Sequence, residues 1–401
     1  MIKHSGHPSH LSRSERRHNA VLGKDSGLNQ ATPQHPHAAN HGGAVLSLAH
    51  SLGVSVDSID DFSTNTFYSA KALTADLVRD TPYLFEHYPD SHCTALREAL
   101  AAHESVAPEQ IIIGNGSAEL IFLLMHTLRP ALTCLPTPLF SEYDRACATF
   151  NIPVHEVRLA PELDFAFGRE ELMALWKSSS DLTVFCMPNN PTGQVYANLP
   201  AVLESTPSSR ILIDATYREF LWDDPAYAQT SWQAYTHMAR PGTALTVLAG
   251  FTKFFACPGI RLGYAVADKT TISRLNARRP PWTVSAFAQH MGLRFLDRLD
   301  DYRALLPELR FQRGRMAEAL LDTGLFRHDS LREGPSFITL AVQEPLSALE
   351  LAHHLLERRV LIRVCNNIPG MPPNYIRIQA RPLEACEELL HGLELFARRR
   401  G

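Results

Sequence analysis

The chain reads as an α/β protein: a large domain on a mostly parallel sheet, followed by a smaller C-terminal α+β domain. Three observations predict this. Between Ile111 and Leu248, short apolar runs alternate with helix-period stretches, the pattern of βαβ units. Most of those runs end in a cluster of small and polar residues, where open α/β sheets place their ligand sites. Beyond Pro280 the alternation stops, and helical stretches and a few isolated strands take over.

The totals are those of an ordinary soluble protein: 401 residues, 45% hydrophobic, 20% charged and a formal net charge of -4. Nothing in the charge balance calls for nucleic acid or an anionic membrane surface. No apolar run approaches the roughly 20 residues that span a bilayer. Seven cysteines are scattered without a CxxC pair, which reads as reduced thiols in a cytoplasmic protein.

Residues 1–40 stand apart. They are polar, carry His4, His7, His10, His18, His35 and His37, and lack apolar periodicity. The histidines allow a metal-binding tail, but no cysteine or paired carboxylate completes a ligand set, and the composition favours a disordered arm. The arm is also short for a winged-helix module, which counts against a non-catalytic regulator. Residues 41–75 are expected to pack with the small domain, 76–285 to form the large domain and 286–401 the small one.

Within these bounds, Ala44 to Leu52 predicts an amphipathic helix, and Asp61-Phe-Ser-Thr-Asn65 a strand running into a turn. Leu96 to His103 is helical. Ile111 to Ile113 predicts a strand, and Ser117 to Leu128 the helix after it. Leu132 to Leu135, Val154 to Leu159, Leu182 to Met187, Ile211 to Ile213 and Leu245 to Leu248 predict further strands. In the small domain, Leu293 to Leu320 predicts one long helix. Ser336 to Val342 and Ile376 to Gln379 predict strands, and Ser347 to Arg358 and Leu383 to Ala397 helices.

The residues at these strand ends carry chemistry. Lys253 follows the apolar run Ala244 to Ala249 and sits between Thr252 and Phe254, a poor place for a solvated charge. It suits an amine that forms an imine, which needs restricted water and nearby cations to lower its pKa. Arg261, eight residues on, supplies such a cation and can hold a phosphate. Gly114-Asn-Gly-Ser-Ala-Glu119 opens a helix. Its amides at Gly116, Ser117 and Ala118, with the Ser117 hydroxyl, suit a phosphate dianion. Alone this is also a plain turn. Asp214, equally able to cap a helix, can face a protonated ring nitrogen. Tyr217 and Asn190 can donate to a ring oxygen, and Phe140 can stack on a flat ring. Pyridoxal 5'-phosphate presents all of these needs at once.

With these residues in hand, the chain resembles the fold-type-I pyridoxal-phosphate enzymes of the class I/II aminotransferase family, from His41 to about Leu395. Asn190-Pro-Thr-Gly193, Asp214-x-x-Tyr217, and Lys253 with Arg261 carry the resemblance. It implies that Lys253 bears the cofactor, Asp214 pairs with its ring nitrogen, Asn190 and Tyr217 bond its ring oxygen, and Arg261 holds its phosphate. Tyr88, in Tyr-Pro-Asp90, is implied to reach the partner's cofactor in a homodimer. Within the family, threonine-phosphate decarboxylase is resembled more closely than histidinol-phosphate aminotransferase. His41-Gly-Gly43, Pro281-Trp-Thr-Val-Ser285 and Leu361-Ile-Arg-Val-Cys-Asn-Asn-Ile-Pro-Gly370 carry that resemblance. The substrate is then a small amino acid or amino-acid phosphate, with Arg377 and Asn65 on its α-carboxylate and Arg363 near a distal phosphate. His41 belongs to the same substrate set. Both reactions use the same residues. The chain departs from the family at Gly250, where Ser or Thr is usual, at Ala215 for Glu, and at Val364 for Asp.

Overall fold

A computed structural model of the protein describes residues 42–79, 84, 86–224, 232–238 and 243–398. The arm 1–40 and the candidate residue His41 lie outside them.

Thirteen strands are formed among the described residues: β1 Asp60–Asp61, β2 Ile111–Gly114, β3 Thr133–Thr137, β4 Val154–Arg158, β5 Leu182–Cys186, β6 Arg210–Asp214, β7 Ala244–Gly250, β8 Gly263–Ala267, β9 Arg332–Glu333, β10 Phe337–Ala341, β11 Val360–Leu361, β12 Arg363–Val364 and β13 Tyr375–Gln379. Seven make the large sheet, in the order β2-β8-β7-β6-β5-β3-β4. All its neighbours are parallel except β8, which runs antiparallel to both β2 and β7. The central strands are apolar because helices cover both faces; β5 is buried along its whole length. At the edge, β4 (Val-His-Glu-Val-Arg) buries only Val157 and exposes polar side chains to water.

β8 was not legible as a strand from the sequence. It decides the site, because an antiparallel strand starts at the edge where its parallel neighbours end. The chain leaves that edge at Gly250, turns through Lys253, and re-enters at Gly263. Lysine and arginine therefore emerge side by side.

The small sheet, β12-β13-β10-β9, is wholly antiparallel. The N-terminal segment serves both halves. β1 pairs with β11, and Phe62 sits in the core under the small sheet, whereas Phe67, Ala70 and Leu77 join the large core.

Two expectations need correction. The strand running into a turn over Asp61–Asn65 is formed only at Asp60–Asp61, because from Ser63 onward the backbone is bonded by side chains: the Ser63 amide donates to Asp61 Oδ1, Arg377 donates to the Ser63 carbonyl and Ser336 to that of Asn65. The single helix over Leu293–Leu320 is three: Ala286–Asp297, Leu299–Arg303 and Leu306–Asp322. Pro307, lacking an N–H, starts the third and cannot continue the second.

Candidate active site

A cleft of about 310 Å³ opens at the carboxyl ends of the parallel strands. Of the residues singled out in the sequence, Asn65, Ser117, Ala118, Phe140, Asn190, Asp214, Tyr217, Lys253, Arg261, Arg363 and Arg377 all line it. They come from eight segments of chain up to 312 residues apart, counting 377 − 65. Thr252 is half-buried and is not among the lining residues. Gly116 lies directly behind Arg261. Tyr88 is elsewhere: it is 84% exposed, with its ring 5.3 Å from that of Trp282. Gly42, the neighbour of His41, does reach the cleft.

At one end is a cradle built by glycine. Gly116 begins the helix Gly116–Leu128 with φ +79°, and a Cβ there would come 2.5 Å from the Arg261 guanidinium. A Cβ on Gly263 would lie 2.7 Å from the Ser117 nitrogen. Only glycine at both places lets Arg261 and the start of β8 close over a helix N-terminus, where amides and helix dipole favour an anion.

In the middle, Asp214 ends β6 and is buried. Its Oδ1 accepts from the Thr216 amide at 3.0 Å and hydroxyl at 2.6 Å, and its Oδ2 from the Tyr143 hydroxyl at 2.9 Å. Burial still pushes the carboxyl above its ordinary value, because the donors offset only part of the lost hydration. A carboxylate so placed is completed by a cation.

The opposite wall offers two donors with their acceptors already used. Asn65 Nδ2 donates to the Tyr217 hydroxyl oxygen, which leaves the Tyr217 proton to donate elsewhere. Arg377 donates to Asn190 Oδ1, which leaves the Asn190 Nδ2 to donate. Lys253 opens onto the cleft but is otherwise enclosed by protein. Burial first, then Arg377 and Arg261, lower its amine to about 7. Phosphate cradle, buried acid, paired ring-oxygen donors and depressed lysine together fit pyridoxal 5'-phosphate.

Over the cleft, Arg363 on β12 and Arg377 on β13 are direct cross-strand partners. Both are buried. Arg363 donates to Asn367 Oδ1 at 2.6 Å, and burial, with a smaller push from Arg377, lowers it to about 10. Arg377 donates to Ser63 O at 3.1 Å and lies 5.5 Å over the Phe337 ring. Like charges opposed across two strands are destabilising by themselves, and anionic ligands relieve them.

Sequence reasoning missed Tyr143, Thr216, Cys186, Glu142, Arg145 and Ile368, which support or line the cleft. Thr216 had a signal, since a threonine two residues after an aspartate is a side-chain turn spacing. Tyr143 had none, being 71 residues from the carboxylate it bonds.

The fold and this donor set define a fold-type-I cofactor enzyme, and comparison with known proteins bears this out. The histidinol-phosphate aminotransferase of Sinorhizobium meliloti, solved with pyridoxal 5'-phosphate, shares the fold: TM-score 0.74, 18% identity, 95% of this chain and 100% of that one. The chain belongs to the aminotransferase class I and II family, whose model matches residues 56–393. Its cofactor is pyridoxal 5'-phosphate. Among similar curated proteins is the threonine-phosphate decarboxylase of Salmonella typhimurium LT2, 30% identical over 88% of this chain and 95% of that protein. Another is the histidinol-phosphate aminotransferase of Desulfitobacterium hafniense, 30% identical over 77% of this chain and 83% of that protein.

Proposed function

We propose that the protein decarboxylates a small amino-acid O-phosphate, threonine phosphate before others, to the amino-alcohol phosphate. One observation carries this reading: the buried cross-strand pair Arg363 and Arg377, facing the cleft that holds Lys253. Guanidinium forks fit a carboxylate and a phosphate bidentately, and two of them suit a substrate with one of each. Histidinol phosphate has no carboxylate and would use only one.

In this reading Ser117, Gly116, Ala118 and Arg261 hold the cofactor phosphate. Asn190 and Tyr217 donate to the ring oxygen, Asp214 faces the ring nitrogen, and Phe140 stacks on the ring. Lys253 carries the cofactor and moves the proton at Cα. When bound, the cofactor is an electron sink for whichever Cα bond stands perpendicular to its ring. Arg377, aided by Asn65, and Arg363 set that orientation by gripping the two anions. His41 remains a substrate-contact candidate beside Gly42. Tyr88, facing outward, is assigned to the cofactor phosphate of a second subunit in a homodimer.

The second reading, a histidinol-phosphate-type aminotransferase, is favoured by the equal identity of the Desulfitobacterium relative. Threonine phosphate, serine phosphate and histidinol phosphate, each with and without 2-oxoglutarate, separate the two. Release of CO2 from threonine phosphate with no keto acid present is the expected result. Glutamate formation that requires the acceptor, with no CO2, gives the case to the aminotransferase.

A further inference from the structure

Behind the cleft lies a buried charge cluster that the chemistry above does not use. Glu104 ends the helix Thr94–Glu104, and Arg218 follows Tyr217 directly; they are 4% and 6% exposed. Arg218 Nη1 donates to Glu104 Oε2 at 3.2 Å, and Nη2 to Oε1 as well. Tyr264 closes the triangle. Its hydroxyl donates to Glu104 Oε1 at 2.6 Å and accepts from Arg218 Nη2 at 2.7 Å. Gln233 caps the Glu104 carbonyl at 2.6 Å. Glu219 extends the cluster, accepting from Arg303 at 3.0 Å.

A desolvated ion pair of this kind is weak evidence for stability, since apolar side chains of like volume often do as well. Its placement gives another reason for it. Arg218 is bonded through the chain to Tyr217, at the ring-oxygen end of the cleft. Tyr264 is the second residue of β8, beside Gly263, which packs on the Ser117 amide, and three residues after Arg261. One carboxylate, on a third element, therefore ties the side chain that follows Tyr217 to the side chain three residues after Arg261.

We infer that Glu104, Arg218 and Tyr264 form a positioning clamp that sets the span between the phosphate cradle at Arg261 and the ring-oxygen donor Tyr217. None of the three is among the residues lining the cleft. The inference rests on the cofactor roles proposed above for Arg261 and Tyr217. If the span is mis-set, phosphate and ring cannot both be seated, and each gains at the other's expense. Misplacement of about 1 Å costs up to roughly a hundredfold in sites of this kind.

The test measures binding of pyridoxal 5'-phosphate and of pyridoxal to the cofactor-free protein, with the visible circular dichroism of the bound cofactor. Wild type is expected to prefer the phosphorylated form, and Arg261→Ala to lose that preference. If neither holds, the cofactor roles fail, and this inference with them. Given both, Tyr264→Phe, which removes one hydroxyl and keeps the ring, is expected to cut the phosphate preference about tenfold and alter the dichroism. Glu104→Gln should do the same more strongly. The double variant Glu104→Gln with Arg218→Met removes both buried charges and is expected to melt near wild type while binding the cofactor as poorly as the single variant. A Tyr264→Phe protein with unchanged preference and dichroism overturns the clamp and leaves the cofactor roles standing. Recovery of wild-type binding in the stable double variant also overturns it.

Discussion

Lys253 offers the sharpest test of the site's electrostatics. Its amine is lowered from 10.5 to about 7 by burial, then by Arg377 and then Arg261, with Asp61 opposing. At pH 7 about half of such amines are neutral, against roughly one in three thousand for an amine at 10.5. The enclosed site thus raises the reactive fraction by about a thousandfold. The perturbation is Arg377→Gln. Because burial is the first cause, removing this guanidinium should raise the midpoint but leave it well below 10.5. The assay is the rate at which cofactor-free protein captures pyridoxal 5'-phosphate, followed by visible absorbance as pH is varied, with Lys253→Ala as the blank. A second readout follows from linkage. Between about pH 7 and 10.5 the folded chain binds fewer protons at Lys253 than the unfolded chain. That contribution to the stability of the cofactor-free protein therefore rises with pH through this window. A wild-type capture midpoint at the ordinary lysine value refutes the argument. A variant that returns fully to that value shows that the guanidinium, and not burial, sets the pKa.

Other outcomes follow from the same geometry. Gly263→Ala puts a methyl 2.7 Å from the Ser117 backbone nitrogen, so cofactor affinity should fall by about tenfold or more in an equilibrium titration; unchanged affinity contradicts the close packing. Arg363→Ala should weaken phosphorylated substrates by about 2–5 kcal/mol relative to unphosphorylated ones, read from kcat/KM on matched pairs. Equal losses on both would remove Arg363 from phosphate recognition. Mixing inactive Lys253→Ala with a Tyr88 variant too impaired to turn over should restore activity if subunits share sites. A fully active monomer in sedimentation would end that reading.

How much of this was legible in the sequence depended on how local its cause was. Asn190, Asp214 and Lys253 were readable because each follows a buried apolar run, and where such a run ends is a local property of the chain. The same holds for the helix start at Gly116 and Ser117, where two glycines mark the turn. Of the two breaks in the helix expected over Leu293–Leu320, the second had a local signal that was present, Pro307. Other features had no local cause. The antiparallel course of β8 brings Arg261 beside Lys253, and only pairing with β2 and β7 decides it. The opposition of Arg363 and Arg377 is a matter of register between β12 and β13, and a slip of one residue would turn one of them away. Tyr143 on Asp214, and Glu104 on Arg218 and Tyr264, join residues 71 to 160 positions apart. The sequence by itself determined which side chains stand at strand ends, because hydrophobic periodicity is written into each segment. The tertiary structure alone decided which of them meet, because a hydrogen bond between distant residues exists only once packing has brought their segments together.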